Sequence, residues 1–348
     1  GSVTGKYGRG IDAVNNHTGL NLGITAAVVS GGTDGIYARN NGNGDLSVTA
    51  TGSVTGKYGR GIYANNYSSS GVGRLVIDVA AVTGATEGIV AVNRGTGDLS
   101  VTATGTVAGT SGYGIAANNS SSGTDLTITT AAVSGGSKGI IAQNNGSGAL
   151  SITSTGDVTG GSDDGIYADN DGTDLTISTA TVSGGTDGID ARNDGTGDLS
   201  VTATGLVTGT TGRGIYAYNY YDGGNLTVNV AAVTGGTDGI FARNDGTGLL
   251  SVTATGHVTG TTGRGIYARN EGTDLTISAA SVSGETDGIF ARNNGSGTLS
   301  VTASGAVTGT SRYGIYARNA SNGAGLTVST ASVSGGLNGI VATNYGSG

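Results

Sequence analysis

Leu46-Ser-Val-Thr-Ala-Thr-Gly-Ser-Val-Thr-Gly56, followed closely by Gly61-Ile-Tyr-Ala-Asn-Asn66, is the stretch on which the fold turns. In its first run Leu46, Val48 and Ala50 alternate with Ser47, Thr49 and Thr51. Small apolar residues therefore face one way and hydroxyls the other, which is the pattern of a strand with one buried face. Glycine and asparagine close each run, as tight turns require. Nothing in the stretch recurs at helical spacing.

Outward from this stretch the same text repeats. Gly-Ile-x-Ala-x-Asn occurs fourteen times, beginning at Gly10, Gly35, Gly61, Gly88, Gly114, Gly139, Gly165, Gly188, Gly214, Gly239, Gly265, Gly288, Gly314 and Gly339, at spacings of 23 to 27 residues. Two kinds of unit alternate. One reads like Leu46–Asn66, the other like Leu175-Thr-Ile-Ser-Thr-Ala-Thr-Val-Ser-Gly-Gly185 with Gly188-Ile-Asp-Ala-Arg-Asn193, giving seven double repeats of about 51 residues. Each unit holds three short β-prone runs and cannot bury a core alone. Stacked units can, because each coil covers the next and backbone hydrogen bonds run between coils. The expectation is an all-β chain, a right-handed parallel β-helix (β-solenoid) of fourteen coils, continuous over residues 1–348. At a strand spacing of roughly 4.8 Å such a stack would be about 67 Å long. A propeller, whose blades need roughly 40–45 residues, fits the shorter repeat poorly.

Composition agrees. There are 71 Gly, no Pro, Cys, Met or Trp, and only 11% charged residues. Abundant Val, Ile and Thr favour strands over disorder. The net charge of −8 argues against nucleic acid as a partner. No run of eighteen apolar residues exists, so no membrane insertion by this segment is expected. Absence of Cys rules out disulfides and thiolate metal sites and suits a chain exported unfolded.

Stacking turns each conserved repeat position into a column. The motif asparagines Asn15, Asn40, Asn66, Asn93, Asn119, Asn144, Asn170, Asn193, Asn219, Asn244, Asn270, Asn293, Asn319 and Asn344 should form a structural ladder, bonding between coils and satisfying corner backbone groups. The residue before the motif glycine alternates in sign in Arg9, Asp34, Arg60, Glu87 and again in Arg213, Asp238, Arg264, Asp287, and departs in the middle at Tyr113, Lys138, Asp164 and Asp187. Like charges one strand apart repel, which gives a reason for the two-coil period. Each such pair, taken as exposed, would contribute only ~0.2–1 kcal/mol. A third column is aromatic and outward: Tyr216, Phe241, Tyr267, Phe290 and Tyr316, with Arg243, Arg269, Arg292 and Arg318 beside it. It reads either as a stiffening stack or as a binding strip for glycans or a neighbouring copy, with the rings relieving the arginine repulsion.

Loop length varies only between an odd-numbered motif Asn and the next Leu, where four, six or eight residues intervene, as after Asn170, Asn219 and Asn66. Even steps should lengthen flanking strands by whole pleats without flipping faces. Motifs for chemistry are sparse. His17 and His257 lie 240 residues apart and support no triad. Asp45, Asp98, Asp125, Asp174, Asp198 and Asp274 recur before the Leu, the kind of stacked acids a carbohydrate-active β-helix would use, but they sit in turns such as Asn193-Asp-Gly-Thr-Gly-Asp198 and read as turn formers. Those turns lack the register of calcium-binding repeats, so no cofactor is expected, calcium being the one ion entertained. Thr49/Thr51, Thr102/Thr104, Thr202/Thr204 and Thr253/Thr255 make an outward Thr array like that of ice-binding solenoids, broken by Asp78, Ser178 and Asn229.

The units Gly-Asp-Leu-Ser-Val-Thr-Ala-Thr-Gly and Gly-Ile-Tyr-Ala-x-Asn resemble the β-helical passenger repeats of bacterial autotransporters and related large adhesins, over the whole chain. The resemblance implies an extracellular, cell-surface location and roles in adhesion, aggregation or biofilm formation, with a signal peptide and a translocator barrel belonging to the full protein. Residue 1 falls mid-coil and residue 348 where another Leu strand would start, which predicts an interior stretch of a longer array. The expected function is a non-enzymatic structural and adhesive rod that self-associates end to end or laterally and contacts glycans or a host surface. A carbohydrate-active enzyme and an ice-binding face are the alternatives.

Overall fold

The computed structural model describes residues 1–67 and 73–348, so most of the longest corner, after Asn66, lies outside the described residues. The chain forms two compact units, Gly1–Asp174 and Leu175–Gly348, each of seven turns of parallel β-solenoid. No helix occurs among the described residues.

A turn contains three β segments. In the second unit one turn runs through Leu250–Gly260, which holds a Leu-x-Val-x-Ala segment and a Val-x-Gly segment, and then Ile266–Asn270. In other turns the first two segments are separate strands, as in Leu126–Thr130 and Val133–Gly135 of the first unit. Pairing among the described residues is parallel, and along the inward Leu, Val, Ile and Ala positions it puts like on like: Leu226 beside Leu250, Val233 beside Val258, Ile240 beside Ile266, Ala242 beside Ala268. The alternation read from the sequence is the alternation of burial, with Leu, Val, Ile and Ala inside and Ser or Thr outside.

The interior is consequently a set of one-residue columns. Leu250, Val252, Val258, Ile266 and Ala268 are all fully buried, as are their counterparts in neighbouring turns. Burying such a side chain contributes about 1.5–3 kcal/mol. One turn has too few of them to offset the entropy of ordering some 25 residues, so the turns are stable only as a stack.

Odd and even turns differ in circumference. Between the Leu and Val segments an odd turn has one extra residue, so Thr204 and Gly205 lie opposite Ala231 alone and the ladder shifts between Ala203 and Leu206. This bulge recurs at Ala50/Ser53, Ala254/His257 and Ala303/Ala306. The next corner is also one residue longer in odd turns: Thr210-Thr211-Gly212 separates Gly209 from Arg213, against Gly236-Thr237 between Gly235 and Asp238. The two-turn period therefore has a geometric cause as well as an electrostatic one.

The variable corner behaves differently from the sequence expectation. Added residues do not lengthen strands, which still end at Asn and restart at Leu. They fold into a hydrogen-bonded β-turn, seen at Ser120–Gly123 and Tyr220–Gly223, where the glycine N–H donates to the carbonyl three residues back at 2.8 and 3.0 Å. A four-residue turn closes on itself and leaves the pleat untouched.

The motif glycine is set by close approach. A methyl group on Gly214 would stand 2.2 Å from Val233 Cγ1 and 2.7 Å from the Gly239 carbonyl oxygen, whereas one on Gly8 would meet nothing within 4 Å. Gly214→Ala should lower the urea midpoint by the equivalent of about 1–3 kcal/mol, and Gly8→Ala should leave it unchanged. Equal midpoints for the two would contradict this packing.

Candidate functional surfaces: side-chain ladders and an aromatic column

The asparagine column is a directional amide ladder. In the first unit Nδ2 of Asn15, Asn40, Asn66, Asn93, Asn119 and Asn144 each donates to Oδ1 of the next asparagine at 2.7 to 3.2 Å, ending at Asn170. In the second unit the same bond links Asn193, Asn219, Asn244, Asn270, Asn293, Asn319 and Asn344 at 3.0 to 3.2 Å. The same nitrogen also donates to a carbonyl of its own corner, such as Gly148 for Asn144 and Gly248 for Asn244. In even turns Oδ1 additionally accepts the N–H two residues on, as Gly246 gives to Asn244. In even turns the fully buried amide thus uses both donors and both lone pairs.

The edge column does more than alternate charge. Oδ2 of Asp34 pairs with Arg9 at 3.3 Å, and its Oδ1 accepts the backbone N–H of Arg60 at 2.9 Å. Asp238 accepts the Arg264 N–H at 2.7 Å and faces Arg213 at 3.9 Å. Asp287 pairs with Arg264 at 3.0 Å and accepts the Tyr313 N–H at 3.3 Å. These carboxylates are not the exposed groups expected from sequence: Asp238 is 15% exposed and Asp287 not at all. Each acid ties the turn before it to the turn after it, and burial makes it costly to leave unpaired.

The acids before the Leu segment play the same part. Oδ1 of Asp45, Asp125, Asp198 and Asp274 accepts the backbone N–H at the matching position of the next turn, that of Arg74, Ala149, Asn225 and Thr298, at 2.6 to 3.0 Å. Asn21 and Asn225 do likewise with neutral amides. The requirement is an acceptor, not a charge.

The aromatic column is a continuous stack. Tyr216, Phe241, Tyr267, Phe290 and Tyr316 follow one another at ring-centroid distances of 5.1, 4.6, 5.3 and 4.8 Å, with interplanar angles of 18° or less. Their faces are covered by one another. The cations over them come from the edge column: Arg213 lies 4.8 Å from the Tyr216 and Phe241 centroids, and Arg264 lies 5.2 and 4.9 Å from those of Tyr267 and Phe290. Rings used on both faces stiffen the sheet and leave only edges to a ligand.

Arg243, Arg269, Arg292 and Arg318 stack in register, as the repeat implied. Flanking aromatics are not the main relief of their repulsion. Arg243 makes a two-point pair with Asp245 at 2.6 and 2.8 Å, and Arg269 one with Glu271 at 2.6 and 2.7 Å. Arg292 donates to Asn294, which in turn donates to Glu271. Sequence reasoning passed over Asp245, Glu271 and Asn294. The signal was Arg-Asn-Asp and Arg-Asn-Glu, which at a strand end brings the first and third side chains to one face. Cation–π contacts help only at the ends of the row, Arg243 over Tyr218 and Arg318 over Tyr345.

At the variable corner Tyr218 stacks on Tyr220 with centroids 3.8 Å apart and donates to Asp245 at 2.5 Å. Burial raises the Tyr218 phenol pKa well above its ordinary value, and the bond to Asp245 adds to the rise. His257 bridges Ser281 and Ser283 of the next turn at 2.7 and 3.1 Å. Thr202, Asn229, Thr253 and Ser278 share one column, but Thr204 and Thr255 lie in the bulges, outside the strand register, so the second Thr of each pair does not continue the column.

Compared with known proteins, the chain matches no family model, no curated sequence and no solved structure.

Two measurements check these ladders. Asn244→Ala removes the acceptor for Asn219 and the donor to Asn270, so it should cost about 2–6 kcal/mol, the sum of two buried groups left unsatisfied at roughly 1–3 kcal/mol each. Urea unfolding of parent and variant reads it. Tyr218 has a raised folded pKa, so its contribution is present below the ordinary phenol range and is lost as pH rises above it. Burial also raises the Tyr216 phenol pKa, so an alkaline absorbance titration should show late-ionising phenols of which Tyr218→Phe removes one.

Proposed function

We propose that this chain is part of an extracellular structural and adhesive element of a bacterial cell surface, comparable to autotransporter passenger repeats. One observation carries the reading: in each unit the polar side chains at recurring positions are spent on bonds between turns, through the Asn ladder, the edge acids and the acids before Leu. Such a stack presents regular columns to its surroundings. Repetition of this kind favours many weak contacts over one catalytic centre. Lateral or end-to-end association with further copies, and contact with glycans or a host surface, belong to the same reading.

The carbohydrate-active alternative needs acids free to act as proton donor and nucleophile. Asp45, Asp125, Asp198 and Asp274 instead hold backbone N–H groups. The ice-binding alternative needs a flat lattice of hydroxyls, and the bulges at Ala203/Leu206 and Ala254/His257 interrupt it every second turn.

Beads coated with the chain should adhere to glycan-coated surfaces under shear or clump with one another, and a polysaccharide panel incubated with the chain should release no reducing ends. Release of reducing ends that Asp198→Asn abolishes would replace this reading with the enzymatic one.

A further inference from the structure

Two corners of the first unit carry side chains that their turns do not require. The three-residue corner of odd turns reads Lys6-Tyr7-Gly8 in the first turn and Lys57-Tyr58-Gly59 in the third. The same corner is built from Thr110-Ser111-Gly112 in the fifth turn and from Thr210-Thr211-Gly212 and Thr261-Thr262-Gly263 in the second unit. Lys57 and Gly59 N–H donate to the Gly31 and Thr33 carbonyls as Thr110 and Gly112 N–H donate to those of Gly84 and Thr86, so neither lysine nor tyrosine is needed to make the turn. Tyr7 is 82% and Tyr58 71% exposed, and these corners hold two of the three lysines in the chain.

The surroundings form a notch. Between the two Lys-Tyr corners lies the shorter even corner, Gly32-Thr33, held by Thr33 N–H to Gly8 at 3.0 Å and by Gly59 N–H to Thr33 at 3.2 Å. Gly32 is buried, and a methyl group there would stand 2.5 Å from the Lys6 carbonyl oxygen. The odd corners therefore stand proud of a recessed floor. The equivalent place in the second unit, between Thr210–Thr211 and Thr261–Thr262 over Gly236, is an open groove.

Charge singles this notch out. Arg9 and Arg60 beneath it pair with Asp34 and Glu87 at 3.3 Å. Among the described residues no acid lies within ion-pair reach of Lys6 or Lys57, whose ammonium groups instead sit 5.0 and 5.1 Å from the Tyr7 and Tyr58 ring centroids. On a chain of net charge −8 this is an uncompensated cationic spot with an aromatic ring beside each cation.

We propose that the notch binds an extended acidic polysaccharide with one carboxylate per disaccharide, laid along the stacking direction of the turns. The two lysines are two strand spacings apart, about 9.6 Å, which is about one disaccharide of an extended glycan. Each ammonium meets one carboxylate, the exposed phenols pack against sugar faces, and Gly32-Thr33 leaves room for the uncharged sugar between. The proposal rests on the adhesive reading above and names a ligand class for it.

Hyaluronan serves as the probe with one carboxylate per disaccharide, dextran as the neutral polymer and polygalacturonate as the polymer charged on every sugar. The full chain, immobilised on a sensor, should bind hyaluronan in a salt-sensitive way and dextran at least tenfold more weakly. Lys6→Ser with Lys57→Ser should weaken hyaluronan binding at least tenfold while leaving the β circular-dichroism signal unchanged. Placing the pairs in the second unit, as T210K, T211Y, T261K and T262Y, should strengthen it. Equal binding by the parent and the double-lysine variant, or equal binding of dextran and hyaluronan, would overturn the site. Polygalacturonate bound as tightly as hyaluronan would overturn the spacing argument. If coated beads adhere but the lysine variant still binds hyaluronan, the notch fails and adhesion stands. Should hyaluronan binding depend on the lysines while beads adhere to nothing, the adhesive reading fails and the notch stands.

Discussion

Parallel stacking in register places every side chain beside its own repeat, and most of this structure answers that constraint. Apolar columns accept it without difficulty, because Leu on Leu or Ile on Ile packs well at strand spacing. Amides accept it because an asparagine carries both a donor and an acceptor and can bond to its own kind indefinitely. Charges do not. The edge column alternates sign in its regular stretches, and in the arginine row Arg243 and Arg269 each draw a compensating acid from two residues further along their own turn. Aromatic rings tolerate it by stacking, with the edge arginines over them.

The same constraint decides what was legible in the sequence. Strand segments, the inward set and the Asn column follow from one period-two run and its fourteen copies, since a repeat in a stack dictates both contact and register. The partners of Asp34, Asp238 and Asp287 were only half legible. Their arginines show as alternating letters, but the backbone N–H groups they also accept leave no mark in a sequence. Burial of Asp287 was hidden for the same reason, because an acid written beside glycine looks like an ordinary turn residue. The fate of Arg243 and Arg269 was visible in Arg-Asn-Asp and Arg-Asn-Glu and was masked by the nearer aromatic letters.

Corner lengths were read correctly as numbers and wrongly as geometry. Two extra residues after Asn119 or Asn219 close into a turn because a hydrogen-bonded β-turn satisfies itself, whereas a longer strand would need a partner on both neighbouring turns. The candidate binding surfaces divide along the same line. A column repeated in every turn, such as Tyr216 to Tyr316, has its faces consumed by the stack. Departures from the repeat, such as Lys6-Tyr7 against Thr210-Thr211, are free of that duty, and the letters that break the pattern say most about recognition.

Unequal circumference also limits how such an array can change length. Bulge, long corner and edge cation all belong to the odd turn, and recessed corner and edge acid to the even one in the regular stretches. Deleting or duplicating a single turn would set two turns of the same kind side by side and bring like charges together on the edge. Adding or removing a pair restores every neighbour relation. A change of length that keeps every neighbour relation therefore comes in cassettes of two turns.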